Sequence, residues 1–412
     1  MHDTSSPNDL SLAQAKVILE AQLAGHAASP IELAIDEAEG SVLTEDLVSP
    51  IDLPPFHNSA MDGYALASDS LHGDGPYQLP LDGSTLAGQA ANPLKPGHAR
   101  RITTGAAMPK GADAVIIQEK VRLESGTITF DESVTSGSFV RMAGEDLAQG
   151  KVLLQRSTRL GPLQLALAAN VGIARLTVRP RPRVAVISTG DELVEPGSRR
   201  SEGKIYDSNR YLLASLAEQL GGEVVLASTC GDDREALLRA LDAATSVADI
   251  VVTSGGVSVG DADLLPELIA QLGEVHFHKL ALKPGRPVLF GTVNETPILA
   301  LPGNPVSVMV TCLQLVAPAL DHLSGAQARR PLRISAQLDG RVSKSHPRLE
   351  FQRGQLIQSS SGKFWVSPVA RQGSHQLAAL RDADCFLVLP EGPQSYADGD
   401  SVLVEPLIQY LK

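Results

Sequence analysis

The chain has 412 residues, is 43% hydrophobic and 20% charged, and carries a formal net charge of −12. That length calls for three or four folded units rather than one core. An acidic chain with no basic tail or stripe lacks the phosphate-neutralising contacts of a nucleic-acid binder, and 4% aromatic residues leave little for recognition by stacked rings.

The N-terminal stretch MHDTSSPNDLSLAQ has neither the basic start nor the apolar run of a signal peptide, so a cytoplasmic location is expected. Residues 11–25 then read as an amphipathic helix. From Asp52 to Arg141 the chain is rich in Gly and Pro with short apolar runs such as AVIIQ and TITF, the pattern of a small β-rich unit. A helix is expected around Pro162 to Asn170, and the joint RPRPR (179–183) announces a different region.

Residues 184–325 alternate cleanly between apolar strands and helices. VAVIST, EVVLAST, DIVVTS and PILAL read as strands, and YLLASLAEQL and DREALLRALDAA as helices. Strands buried on both faces and separated by helices predict a doubly wound parallel sheet with βαβ crossovers. The apolar run Val306 to Leu320 is interrupted by Gln314 and too short to span a bilayer, so it reads as a buried helix. After Pro331 the segments LRISAQL, FWVSPV, CFLVLP and SVLVEPL suggest a small β domain. Cys230, Cys312 and Cys385 lie far apart and suggest neither zinc site nor disulfide framework.

Ligands of open parallel sheets bind outside the carboxyl ends of the strands. Three loops fall there: STGDE (188–192), SGGVSVGDAD (254–263) and LPGNP (301–305). Their glycines let backbone approach a ligand closely, and exposed N–H groups suit an anion such as phosphate. Asp191, Glu192, Asp261 and Asp263 in the same loops would repel a bare phosphate. A divalent cation between them resolves the conflict, and Mg²⁺ takes a few carboxylates plus substrate oxygens. Lys279 and Lys283, in HKLALKPGRP, offer positive charge for a second anion.

Each residue also has a plainer reading. Asp232 could be an N-cap with Glu235 completing a capping box, and Asp263 could cap the helix containing Pro266. The two lysines could be solvated strand ends, and His276 and His278, on one face of a strand with no third ligand nearby, read as structural. GVSVG (256–260) matches the G-x-S-x-G nucleophile elbow, but Pro266 places the next helix too late for a nucleophilic serine.

HNSAMDGYA (57–65), RITTGAAMPKGADAVI (101–116), GEDL (144–147), STGDEL, IYDSN, SGGVSVGDAD, KPGRP and LPGNPVS occur in this order. Together they closely resemble the MoeA-type molybdopterin molybdenumtransferases, whose animal relative is the E domain of gephyrin. The resemblance implies a discontinuous N-terminal domain (1–50 plus 142–180), a β-rich lobe (51–141), a molybdopterin-binding α/β domain (181–327) and a C-terminal, barrel-like β domain (328–412). It implies a homodimer that inserts molybdate into adenylylated molybdopterin with Mg²⁺-dependent release of AMP, in exchange with an adenylyltransferase and cofactor-acceptor enzymes. The implied Mg²⁺ ligands are Glu192, Asp232 and Asp263. Asp62, Thr104 and Asp146 would serve the site, the first two from the partner subunit. Lys279, Lys283, Pro302, Pro305, Ser307, Arg353 and Ser374 would bind substrate or molybdate, with Ser374 also readable as a helix N-cap. Adenylyl transfer to molybdopterin and a gephyrin-like scaffold are the alternatives. The first needs only the central domain, and the second normally needs a partner domain and a long linker.

Overall fold

The computed structural model describes residues 9–257 and 264–411. The helix Leu12–Leu23 starts at a capping box, with Gln14 N–H donating to Ser11 Oγ at 3.2 Å and Ser11 N–H to Gln14 Oε1 at 2.9 Å. Its Leu12, Ala15, Leu19 and Leu23 recur at helical spacing and enter the largest core of the molecule, beside Leu320 and Leu323. The strands Ile31–Ala34 and Val42–Leu43 flank Arg175–Arg179 in an antiparallel sheet. Between these strands the chain makes a separate six-stranded sheet from segments between Gly63 and Phe130. Tyr64, Leu66, Ile116, Ile128 and Phe130 form the core of that lobe.

The α/β domain is built on a six-stranded sheet in the order Glu223–Cys230, Arg183–Thr189, Ile250–Ser254, Thr296–Leu301, Leu289–Val293, Gly273–His278. The first four strands are parallel, as their apolar runs predict, and Leu289–Val293 runs antiparallel to both of its neighbours, Thr296–Leu301 and Gly273–His278. Asn294 and Glu295, both at positive φ (49° and 64°), make a two-residue hairpin turn that reverses the chain into Thr296–Leu301. Without the usual glycine, that turn was invisible in the sequence.

The helical run Pro305–Ser324 is long and apolar enough to cross a membrane, but 89% of its most apolar window is buried in the protein. A π-helical turn over Cys312–Val316 brings Gln314 inward, where its Nε2 donates to Glu405 Oε1 at 2.7 Å. In the C-terminal region Leu349–Gln358, Phe364–Pro368, Ile334–Leu338, Ser401–Pro406 and Cys385–Leu389 close on themselves as a five-stranded barrel. The short strand Leu282–Lys283 from the α/β domain pairs with Leu349–Glu350 and ties the two units together.

Candidate active site

In this sheet the chain crosses from Glu223–Cys230 on one side of Arg183–Thr189 to Ile250–Ser254 on the other. Such a reversal opens a crevice at the carboxyl ends of the two central strands. A cleft of about 580 Å³ lies there, lined by Gly190, Glu192, Asp207, Asn209, Asp232 and Gly255, among others. All three expected loops reach it: Glu192 from the first, Gly255 and Gly256 from the second, and Pro302, Gly303 and Pro305 from the third.

The loops pack closely, and at Gly255 a side chain is excluded. Gly255 sits at φ +96°, and a Cβ there would lie 2.4 Å from the Thr189 carbonyl oxygen. A Cβ on Gly303 would rest 3.7 Å from the Gly255 Cα. Asp191 and Asp232 lock two loops together, each carboxylate accepting the other's backbone N–H at 3.1 and 3.2 Å. Lys204 adds its ammonium to the Asp191 carbonyl.

Sequence reasoning quoted IYDSN as a motif but assigned its residues no role. Asp207 is buried and accepts from Ser188 Oγ (3.1 Å), Thr229 Oγ1 (2.8 Å) and the Arg210 N–H (3.0 Å). Asn209, the first residue of the helix Asn209–Gln219, donates from Nδ2 to Ser254 Oγ at 2.8 Å and to the Gly303 carbonyl at 2.6 Å, stapling the helix start to two strand ends at the cleft. An aspartate and an asparagine two residues apart, just before a helix, were the available signal.

The capping reading of Asp232 is corrected by one residue. The helix Arg234–Thr245 is capped by Asp233, whose Oδ1 accepts from Ala236 N–H at 2.9 Å, so Asp232 keeps its place in the cleft. Asp261 and Asp263, like Ser258 of the rival elbow, lie outside the described residues. The following helix begins only at Leu265. His276 is structural as expected, bonded to Thr292 Oγ1 at 2.8 Å and stacked on Phe290. His278 meets the Val257 carbonyl at 3.2 Å.

The two lysines differ. Lys279, at φ +78°, has no hydrogen bond or ion pair on its ammonium among the described residues. Lys283 is instead engaged by Glu350 Oε1 and His346 Nε2, both at 3.1 Å, and is not a solvated strand end. Ser307 is buried in the first turns of the Pro305–Thr311 helix.

Two C-terminal expectations change. Arg353 is 1% exposed, and its guanidinium donates to the carbonyls of Arg371 and Gly373, so it braces the 371–373 loop rather than facing solvent. Burial pushes its pKa down from the usual guanidinium value. Ser374 caps no helix, because the next helical turn is Leu377–Leu380 with Gln376 before it. Its carbonyl accepts the Val306 N–H at 3.0 Å, which seats this loop on the Pro305 helix and brings His375 and Leu377 to the cleft.

Asp62, Thr104 and Asp146 do not line the cleft. Asp62 and Thr104 form one unit in the β-rich lobe, with Asp62 Oδ1 accepting from Thr104 N–H (2.7 Å) and Oγ1 (3.0 Å). The Thr104 backbone bond, then its hydroxyl, hold the Asp62 carboxyl below its ordinary pKa. Asp146 is exposed on a loop whose N–H donates to the Leu53 carbonyl at 2.9 Å.

Among the described residues no three His, Cys, Asp or Glu side chains are grouped closely enough to hold a metal ion. Of the three carboxylates lining the cleft, Asp207 is taken up by Ser188, Thr229 and Arg210, and Glu192 and Asp232 would suit a hard cation that keeps several waters and takes the rest of its ligands from substrate oxygens. Cys230, at the end of its strand, is no nucleophile: burial, then Asp232 and Asp233, push its thiol up to about 11. Iodoacetamide at pH 7.5 is therefore expected to leave Cys230 unmodified in the folded protein, read by peptide mass spectrometry, and to alkylate it only after denaturation.

Three family patterns match the chain: the MoeA N-terminal region (domain I and II) over residues 10–172, a probable molybdopterin binding domain over 185–322, and the MoeA C-terminal region (domain IV) over 335–407. The chain is 41% identical to a molybdopterin molybdenumtransferase of Haemophilus influenzae over 91% of its own length and 93% of that protein. It is 37% identical to molybdopterin molybdenumtransferase 2 of Mycobacterium tuberculosis over 92% and 95%. The crystal structure of a molybdopterin biosynthesis MoeA protein from Pyrococcus horikosii superposes with a TM-score of 0.80 at 33% identity, covering 97% of this chain and 99% of that one.

Proposed function

Since the chain belongs to the MoeA-type molybdopterin molybdenumtransferases, enzymes of molybdenum cofactor biosynthesis, we propose that its cleft inserts molybdate into adenylylated molybdopterin with Mg²⁺-dependent release of AMP. The observation that carries this reading is the meeting of Glu192 and Asp232 with glycine-opened backbone in one crevice of nucleotide size. Glu192 and Asp232 would hold Mg²⁺, with Asp263 as a third ligand. When bound, the ion supplies positive charge that polarises the phosphoanhydride. Gly255, Gly256 and Gly303 let the phosphates come against backbone, and Asn209 fixes the spacing of their loops. The Lys279 ammonium supplies charge for the molybdate dianion. Lys283, bridged to Glu350, ties that region to the barrel. Arg353 and Ser374 serve by placing the loop that carries His375 against the cleft.

Asp62, Thr104 and Asp146 stand apart from the cleft, and we assign them to the cleft of a second subunit in a homodimer. Phe56, Met61, Phe139 and Met142, between 42% and 49% exposed, lie in the same segments and supply apolar surface that a partner would cover.

With adenylylated molybdopterin, AMP release should require Mg²⁺ and accelerate with molybdate. Glu192→Ala and Asp232→Ala should each slow it roughly a hundredfold or more, the scale for removing one electrostatic element of a transition state. Release indifferent to molybdate and untouched by both substitutions would refute the reading.

A further inference from the structure

A second cavity, of about 490 Å³, lies away from the cleft, beyond the helix C-termini at Gln219 and Ser324. Three parts of the molecule meet in it: Thr158 and Arg159 from the N-terminal unit, Asp321 to Pro331 from the α/β domain, and Gln409 and Tyr410 from the C-terminal region.

The charge balance in its wall is unusual for a chain of net charge −12. Arg159, Arg329 and Arg330 line the cavity together with a single carboxylate, Asp321, which is 2% exposed. Arg329 takes Asp321 with Nε at 2.7 Å and Nη2 at 2.6 Å, while Arg159 Nη2 reaches the same Oδ1 at 3.3 Å. Arg159 fills its other bonds with the Gly40 carbonyl and Ser324 Oγ. Arg330 is exposed and has no hydrogen bond or ion pair among the described residues. One carboxylate thus serves two guanidinium groups, and a third arginine beside them has no acidic partner among the described residues. Burial, followed by repulsion from Arg329 and Arg181, pushes Arg159 below the usual guanidinium pKa even though Asp321 opposes both. Arg159 and Arg329 are each 27% exposed, so their positive charge exceeds what Asp321 balances where a ligand can still reach it, and a second anion would complete the set. The glycine at 221 is shaped to this arrangement, since a Cβ there would lie 2.4 Å from Arg159 Nη1.

We infer that this junction is a binding site for a small, multiply charged anion, a phosphorylated metabolite or a polycarboxylate, held by Arg329 and Arg330 with Arg159 behind them. The volume suits a ligand of that size, and guanidinium groups are matched to phosphate and carboxylate oxygens. A ligand here touches all three parts and stiffens their arrangement, independently of the reaction in the cleft.

The test is isothermal titration of the whole protein with pyrophosphate and, separately, citrate, in EDTA at constant ionic strength. Under these conditions the metal-free carboxylates of the cleft repel anions. One anion per chain is expected to bind, with Kd raised about tenfold or more by Arg330→Glu and unchanged by Lys279→Ala. Preference for pyrophosphate or for citrate identifies the ligand class. Arg330 is exposed and unpaired, so its variant should fold, and circular dichroism checks this. No binding, binding indifferent to Arg330→Glu, or binding abolished by Lys279→Ala would each overturn the inference.

Discussion

Coexpressing two inactive variants, Asp62→Ala and Glu192→Ala, is expected to restore about a quarter of wild-type AMP release if subunits pair at random in a symmetric dimer. Asp62 is held by Thr104 in the β-rich lobe, and Glu192 lines the cleft of the α/β domain. If the lobe of one subunit serves the cleft of the other, a mixed dimer has one site with both defects and one site with none. Half of the dimers are mixed and half of their sites are intact. If both residues serve the same chain's cleft, every site carries one defect and activity stays at the level of the single variants. Distinct affinity tags on the two variants sharpen the reading, because doubly purified dimers should then reach about half of wild-type activity. No recovery in such dimers would sink the shared-site assignment while leaving the cleft itself untouched.

The sequence revealed most where periodicity and position carry the same message. VAVIST, DIVVTS and PILAL have unbroken apolar centres because both faces are covered, and they form the parallel centre of the sheet. The loops that follow them hold the cleft because strand ends, not particular side chains, define the crevice. Reading failed where one feature obeyed two rules. Leu349–Gln358 was missed although it is the longest strand of the barrel, because Glu350 and Arg353 stand at buried positions and break the expected alternation. Glu350 is stabilised there by Lys283 and His346, and Arg353 by backbone carbonyls, partners that no local pattern announces.

Adjacent carboxylates caused a subtler error. Asp232 and Asp233 compete for one cap, and sequence offers no means to choose between them. The structure gives the cap to Asp233 and leaves Asp232 at the cleft wall, hydrogen-bonded to Asp191. The charge balance at the Arg159–Asp321–Arg329 junction was equally illegible, since its members are brought together by packing between domains rather than by spacing along the chain.

Replacing Gly255 by Ala is expected to destabilise the α/β domain by roughly 2–5 kcal/mol and to abolish the reaction. Two penalties add. A non-glycine residue in left-handed backbone costs about 1–2 kcal/mol, and forcing an atom into a close-packed contact costs about 1–3 kcal/mol more. The first applies because φ is +96°, and the second because the new Cβ would lie 2.4 Å from the Thr189 carbonyl and 2.8 Å from its Oγ1. Neither neighbour can easily yield. Thr189 ends a strand whose Ser188 is in register with Ser254, and the Gly255 N–H donates to the Leu301 carbonyl at 3.1 Å. The strand ends must therefore spread, moving Glu192 away from Asp232. Gly172 provides the control, with φ +77° and nothing within 4 Å of its added Cβ. Gly172→Ala should carry only the backbone penalty, about 1–2 kcal/mol, and keep full activity. Urea denaturation of both variants, followed by AMP release at a temperature where each is folded, separates the two contributions. Equal destabilisation in the two variants would mean that the close approach of the strand-end loops does not constrain the cleft.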